Sequence, residues 1–440
     1  MRIISSRVTA LLAAGAVSLA GFGNGCSPDE PGPTALAVAQ PTGPDALAHY
    51  VAIGDASTAG YMDNGLIAAG QLASYPAQIA GRLGYTPAPG GSRWFAQPLV
   101  AWPGIGGTRL PDPSVVAGVL CWNGTAIALA GSTPAAEVAE SLLPVQAYPT
   151  PYHNLAVPGA TLPDVVAAFD GATSQPPGNP FFAVVLRNPA FGDVAMVDQA
   201  IAQGPTLATV WLGVGEAIGA AANGQPAIGD NLIAPADFAA ALAYILERLV
   251  DGVTARYGYT PRLVIGNVPQ ILALPYFIPK GVFDALVGSE FPTVETDVSF
   301  VLFPALAAVQ SGFAGPLAAD ATLTAAETAV VESAVLGYNA AIADLAATYG
   351  FTVADIAGLL AAQPAAATTH FVFLLQQGMT VAQAAATTII SLDGLHLNSR
   401  GQSLAANAFL AAINAELDLA GDQLLAPVAA ASWDPSYPAP

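Results

Sequence analysis

Lysine is nearly missing from this 440-residue chain: Lys280 is the only one, and all basic residues together number 11 against 31 acidic ones. A formal charge of −20 without a basic cluster lacks the electrostatic footprint of a nucleic-acid or anionic-membrane binder. Neither partner is expected on grounds of charge. Charge of either sign is scarce, at 10% of residues, while 54% are hydrophobic. That ratio supports a large core, and the length allows one elaborate domain or two ordinary ones. Cysteine occurs only at Cys26 and Cys121, which permits one disulfide at most. The four histidines, at 49, 153, 370 and 396, share no ligand spacing. No metal and no cofactor are expected. No internal repeat is evident.

The N-terminus, MRIISSRVTALLAAGAVSLAGFGNGC, places Arg2 and Arg7 before an apolar run from Val8 to Phe22. The run is too short to span a bilayer and has the shape of an export signal over residues 1–25. Cys26 follows, then a polar, Pro-rich tether to about residue 47. The cysteine resembles the acylated first residue of a bacterial lipoprotein; a plain secretory signal or a buried thiol are the alternatives. The expected location is the cell envelope or the medium, with membrane attachment only through a lipid anchor at Cys26. If Cys26 is acylated, Cys121 is left alone and reads as a small buried hydrophobe. Otherwise the two can pair in an oxidising compartment.

Beyond the signal, two apolar stretches tempt a membrane assignment. Residues 206–224 carry Glu216, and residues 298–319 carry Pro304, Gln310 and Pro316, so both read as buried core. The remainder alternates strands and helices. HYVAIGD (49–55), LATVWLGVG (207–215), RLVIGNVP (262–269) and FTVADI (351–356) read as strands buried on both faces. Phe238, Leu242, Ile245, Leu249 and Val253 form one helical stripe. Thr324 and Glu327 make a capping box ahead of a second stripe: Val331, Val335, Tyr338, Ile342, Leu345 and Tyr349. A last helix is expected over about 400–419. Such alternation predicts an α/β fold with a parallel central sheet between layers of helices. Two regions read as insertions covering one end of the sheet. Residues 86–150 contain an Asn123-Gly124 hairpin signal, and 270–320 are apolar and read as helical. Aromatic residues in SRWFAQPLVAW (92–102) read as subdomain core or as a ligand surface. The main domain is thus expected over 48–420, followed by a loosely attached tail over 421–440.

Chemistry concentrates near the end, in SLDGLHLNSRGQ, where Asp393-x-x-His396 precedes the last helix. A carboxylate three residues before a histidine orients the imidazole and leaves the other ring nitrogen as a general base. In a parallel sheet, ligands bind beyond the carboxyl ends of the strands. Four ordered segments then resemble the SGNH, or GDSL-like, hydrolases, a family of extracytoplasmic esterases and lipases. They are GDASTAG (54–60), NLAVPGAT (154–161), WLGVGEA (211–217) and DGLHLNSRG (393–401). GQLASYPAQIAGRLG and NVPQILALPYF are also similar to a lipoprotein branch of that family. The resemblance covers most of residues 49–417. It implies a three-layer, flavodoxin-like fold, a small-molecule ester, lipid or acylated glycan as ligand, Gly159 as an oxyanion donor through its N–H, and Asp393 with His396 as acid and base.

The departures fall on the reactive positions. The family's nucleophilic serine is Ala56 here, its oxyanion asparagine is Gly215, and the following aspartate is Glu216. A methyl group does not attack a carbonyl; losing the nucleophile costs roughly six orders of magnitude in turnover. Ser57 is a candidate substitute if the turn shifts by one residue; its alternative role is to cap the next helix with its hydroxyl, alongside Thr58. His153 and Glu216 read as structural or as cleft residues. The expectation is a catalytically degenerate pocket that binds an acyl or acylated-glycan ligand; the alternative is an active esterase using His396–Asp393 with Ser57 or water.

Overall fold

The computed structural model describes residues 39–87, 93–107, 115–134, 150–186 and 192–437. The expected signal, Cys26 and most of the expected tether lie outside the described residues. Four strands form the central sheet: β1 (Tyr50–Gly54), β2 (Leu207–Trp211), β3 (Arg262–Gly266) and β4 (Thr352–Ala354). They lie in the order β1-β2-β3-β4 and all are parallel, with Gly54 opposite Trp211 and Val210 opposite Ile265. Every residue of β1 and β2 is buried, as expected when helices cover both faces of a parallel sheet. The chain around Asn154 runs parallel along the free edge of β1, where the Ala52 N–H donates to the His153 carbonyl at 2.8 Å. Counting that segment, the chain order across the sheet is 2-1-3-4-5, the flavodoxin-like arrangement. Connections leave in opposite directions on either side of β1, so a crevice opens past Gly54 and Trp211.

One layer holds the helices Pro235–Tyr257 and Ala325–Tyr349, locked by Phe238 stacked on Tyr338 at 4.2 Å. The other holds Tyr75–Arg82 and Ser399–Glu416, with Tyr75 stacked on Phe409 at 4.3 Å. The Phe238 stripe is buried throughout, and the Thr324–Glu327 capping box forms. The second stripe is buried only to Ile342; Tyr349 at its end is exposed. The anticipated strands overran their ends, most at 212–215, where the helix Val214–Ala222 begins instead. That break, and the one between Val298–Leu302 and Phe303–Gln310, means neither tempting apolar stretch is a continuous helix.

Three expectations need correction. Residues 277–324 are a three-stranded antiparallel sheet (Phe277–Pro279, Val298–Leu302, Thr322–Thr324) carrying two helices, rather than a helical insertion. Its three- to five-residue strands are punctuated by proline and show no long alternation. Cys121 is half-buried rather than buried, because it sits in the exposed hairpin Leu120–Trp122/Ile127–Leu129 that the Asn123-Gly124 turn closes. The tail is not loose. Asn414 and Asn407 hydrogen-bond the backbone of Leu425 and Val428, the Ser403 hydroxyl accepts from the Ala431 N–H, and Trp433 and Tyr437 are buried. In the 92–102 segment, Phe95 and Val100 are core, Phe95 stacking on Tyr50 at 5.7 Å. His153 is structural, its Nδ1 accepting the Ala96 N–H.

Candidate functional site

Position 54, the last of β1, admits nothing larger than glycine: a Cβ there would collide with Thr58 Oγ1 and lie 2.7 Å from the Trp211 carbonyl. Asp55 then caps the short helix Ala56–Ala59, accepting the Ser57 N–H at 3.0 Å through Oδ1. Its Oδ2 accepts the Gly215 N–H at 2.8 Å, so one buried carboxylate ties the end of β1 to the turn after β2. Burial pushes the Asp55 carboxyl up, while the two N–H donors and His396 pull it back. The turn is pinned from the far layer: Gln402 donates to the Ser57 carbonyl at 2.9 Å and accepts the Tyr75 N–H at 2.9 Å.

Ala56 and Ser57 are each 8% exposed. The helix cap is the Asp55 carboxylate, so the expected capping roles of Ser57 and Thr58 are corrected: Ser57 contributes its N–H rather than its hydroxyl, and Thr58 Oγ1 lies 3.3 Å from Tyr75 OH. Among the described residues, the Ser57 hydroxyl makes no hydrogen bond to His396. Gly159 sits in left-handed backbone (φ +73°), is exposed, and its N–H has no acceptor among the described residues. Its segment joins the crevice through the Val157 N–H, which donates to the Gly54 carbonyl at 3.2 Å. Glu216 connects the second and third segments, its Oε1 accepting the Leu162 N–H at 2.7 Å; its buried Oε2 has no partner among the described residues. Burial, then the neighbouring Asp55 charge, push its carboxyl up to about 8.

The Asp393–His396 loop is the most tightly bonded part of the site. Oδ1 of Asp393 accepts from the Ser391 hydroxyl (2.9 Å) and from the N–H groups of Leu395 (2.8 Å) and His396 (2.9 Å). Oδ2 accepts from His396 Nδ1 at 2.9 Å and from the Asn64 N–H at 2.8 Å. Burial alone would raise this carboxyl; the imidazole charge and these hydrogen bonds outweigh it and hold it well below the usual range. Burial opposes the imidazolium of His396, but Asp393, then Asp55 and Asp63, overcome it and raise the ring's pKa. With Nδ1–H committed to Asp393, Nε2 is the free nitrogen. It has no partner among the described residues and, in a side chain 12% exposed, is not sealed from solvent. Tyr61 packs edge-on against the ring at 4.8 Å.

Hydrogen bonds therefore tie the turn carrying residue 56 to Gly215 through Asp55 and to the Gly159 segment through Gly54, while Asn64, just past that turn, binds Asp393. Sequence reasoning passed over Asp55, Asp63 and His370. Asp55 carried a signal, an acid directly before a short helix. Buried His370 lies behind the loop, its Nε2 3.1 Å from the Leu392 carbonyl; nothing local marked it. No group of three or more His, Cys, Asp or Glu among the described residues is placed to hold a metal.

No family model matches this chain, and no curated protein does. Among solved structures, it is similar to an extracellular lipase from Streptomyces rimosus, with 14% identity, a TM-score of 0.33, and coverage of 83% of this chain and 98% of that one. It is also similar to an α/β hydrolase enzyme from the metagenome of Lake Arreo, Spain, with 13% identity, a TM-score of 0.33, and coverage of 84% and 96%. Likeness at this level says nothing about activity.

Proposed function

We propose that this chain is an SGNH-like ester-hydrolase scaffold that has lost its nucleophile and uses the retained crevice to bind an acyl or acylated-glycan ligand. One contrast supports the reading above all: His396 is oriented by Asp393 with Nε2 open, while position 56, where the resemblance expects a nucleophile, is alanine. A base held this way can hydrogen-bond a ligand hydroxyl or carbonyl-bound water without forming an acyl-enzyme. The free Gly159 N–H offers a second polar contact. The open Nε2 equally favours a second reading, in which His396 activates Ser57 or a water and the chain is a working esterase.

Short-chain ester hydrolysis by the full mature chain, by Ser57→Ala and by Ala56→Ser separates the two. The binding reading expects background turnover in the natural chain, no change in Ser57→Ala, and activity in Ala56→Ser. Strong natural turnover abolished by Ser57→Ala would overturn it. Export and acylation at Cys26 belong to the same proposal; labelled palmitate should be incorporated by the natural chain and not by Cys26→Ala.

A further inference from the structure

The turn after the helix Ala56–Ala59 places Asp63, buried and in left-handed backbone (φ +55°), directly behind the Asp393–His396 loop. Its Oδ1 accepts the Leu392 N–H at 2.8 Å. Its own N–H donates to Ser391 Oγ at 3.0 Å, and that hydroxyl donates onward to Asp393. The next residue, Asn64, donates its N–H to the other oxygen of Asp393. Two consecutive residues of one turn thus grip three consecutive residues, 391–393, ahead of His396.

Asp63 Oδ2 is satisfied from elsewhere: Tyr437 OH donates at 2.6 Å and Trp433 Nε1 at 3.3 Å. Both belong to the C-terminal strap, residues 424–437. The strap is also fixed by the Trp122 N–H donating to the Pro435 carbonyl at 2.8 Å, by Trp433 edge-on to Phe371 at 5.7 Å, and by Tyr437 against Trp102 at 5.5 Å. Without these two donors the buried acid would keep only its bond to Leu392, and an undersatisfied buried carboxylate is costly.

We propose that Asp63 is a positioning residue for His396, and that the C-terminal strap is a working part of the pocket because Trp433 and Tyr437 hold Asp63 in place. The inference rests on the reading of Asp393–His396 as the functional pair. The other titratable groups facing this loop are Asp55, Tyr61, Tyr276 and His370.

The test follows the His396 imidazole by NMR titration and the loop amides by hydrogen exchange, in the full mature chain. Burial lifts the Asp63 carboxyl to about 7, so it titrates alongside His396; Asp63→Asn should lower the His396 midpoint measurably, since it removes one of three nearby acids whose charged forms favour the imidazolium. Asp418→Asn, a change at an exposed carboxylate of the domain end, should leave it unmoved. Trp433→Phe/Tyr437→Phe should speed exchange at Leu392, Leu395 and His396 roughly tenfold or more, with Val51 and Val210 of the sheet unchanged. Tyr437→Phe alone keeps the carboxylate and serves if a harsher variant does not fold. An unmoved His396 midpoint in Asp63→Asn, or unchanged loop exchange in the strap variants, overturns the proposal. Asp393→Asn with an unaltered His396 titration would instead sink the pair reading and leave the strap result standing.

Discussion

The two sides of the crevice have been treated differently. On the side of residues 391–396, every acceptor position of Asp393 is occupied and the loop is held from behind by Asp63 and His370. On the opposite side Gly54 is packed, Asp55 bridges and Gly159 is left-handed, while positions 56 and 215 carry only a methyl and a hydrogen. Fold geometry and reactive chemistry are separable in such a crevice. The first resides in backbone hydrogen bonds and buried carboxylates, the second in one or two terminal atoms.

Supplying such atoms is the strongest way to break the contrast. Ala56→Ser should raise ester hydrolysis by roughly three orders of magnitude. Of the roughly six that a nucleophile supplies, the lack of an oxyanion side chain at Gly215 withholds two to three. A folded Ala56→Ser with turnover at the natural level would mean that the two sides no longer register with each other. Adding His396→Ala to it should return turnover to background.

Damage to the intact side should be smaller and should show in stability. Asp393→Asn weakens or orphans several donors and should cost about 1–3 kcal/mol in denaturant unfolding at neutral pH. The sign with pH follows from its folded pKa lying below its unfolded one. Its contribution is present above about pH 4 and lost as pH falls through the folded value, so the variant should show a flatter acid limb. Equal acid limbs in variant and natural chain would refute it.

Glu216 behaves oppositely. Its folded carboxyl, near 8, lies above the unfolded value of 4.5, so its contribution is present below 4.5 and falls away as pH rises toward 8. Glu216→Gln keeps an acceptor for the Leu162 N–H and should flatten that decline, measured by melting temperature at pH 5 and pH 8. Smallest of all, Gly215→Asn on the Ala56→Ser background should add less than the hundredfold typical of one oxyanion donor. A Cβ at 215 lies 3.1 Å from Asp55 Oδ2, so the carboxylate must shift to admit it. A full hundredfold gain would show that Asp55 yields freely.

Much of the frame was legible because single segments declare it. β1 to β3 are apolar runs, the Phe238 stripe and the Thr324–Glu327 box mark helices, and Asn123-Gly124 marks a hairpin. The Asp393–His396 pair was legible because its two members sit three residues apart. The strap was not: Tyr437 and Asp63 are separated by 374 positions, and the alanine- and proline-rich tail has no period to read. The sheet at 277–324 escaped for a similar reason, since its strands are too short for alternation to show.

Gly215 also gives the molecule a direction of change. Once its bare Cα lets Asp55 sit flush against the neighbouring amide, a larger residue arriving there meets resistance that a chain with a displaced aspartate would not impose. Substitutions at 56 and at 215 should therefore be epistatic, and the order in which the two mutations are introduced decides whether an intermediate is tolerated.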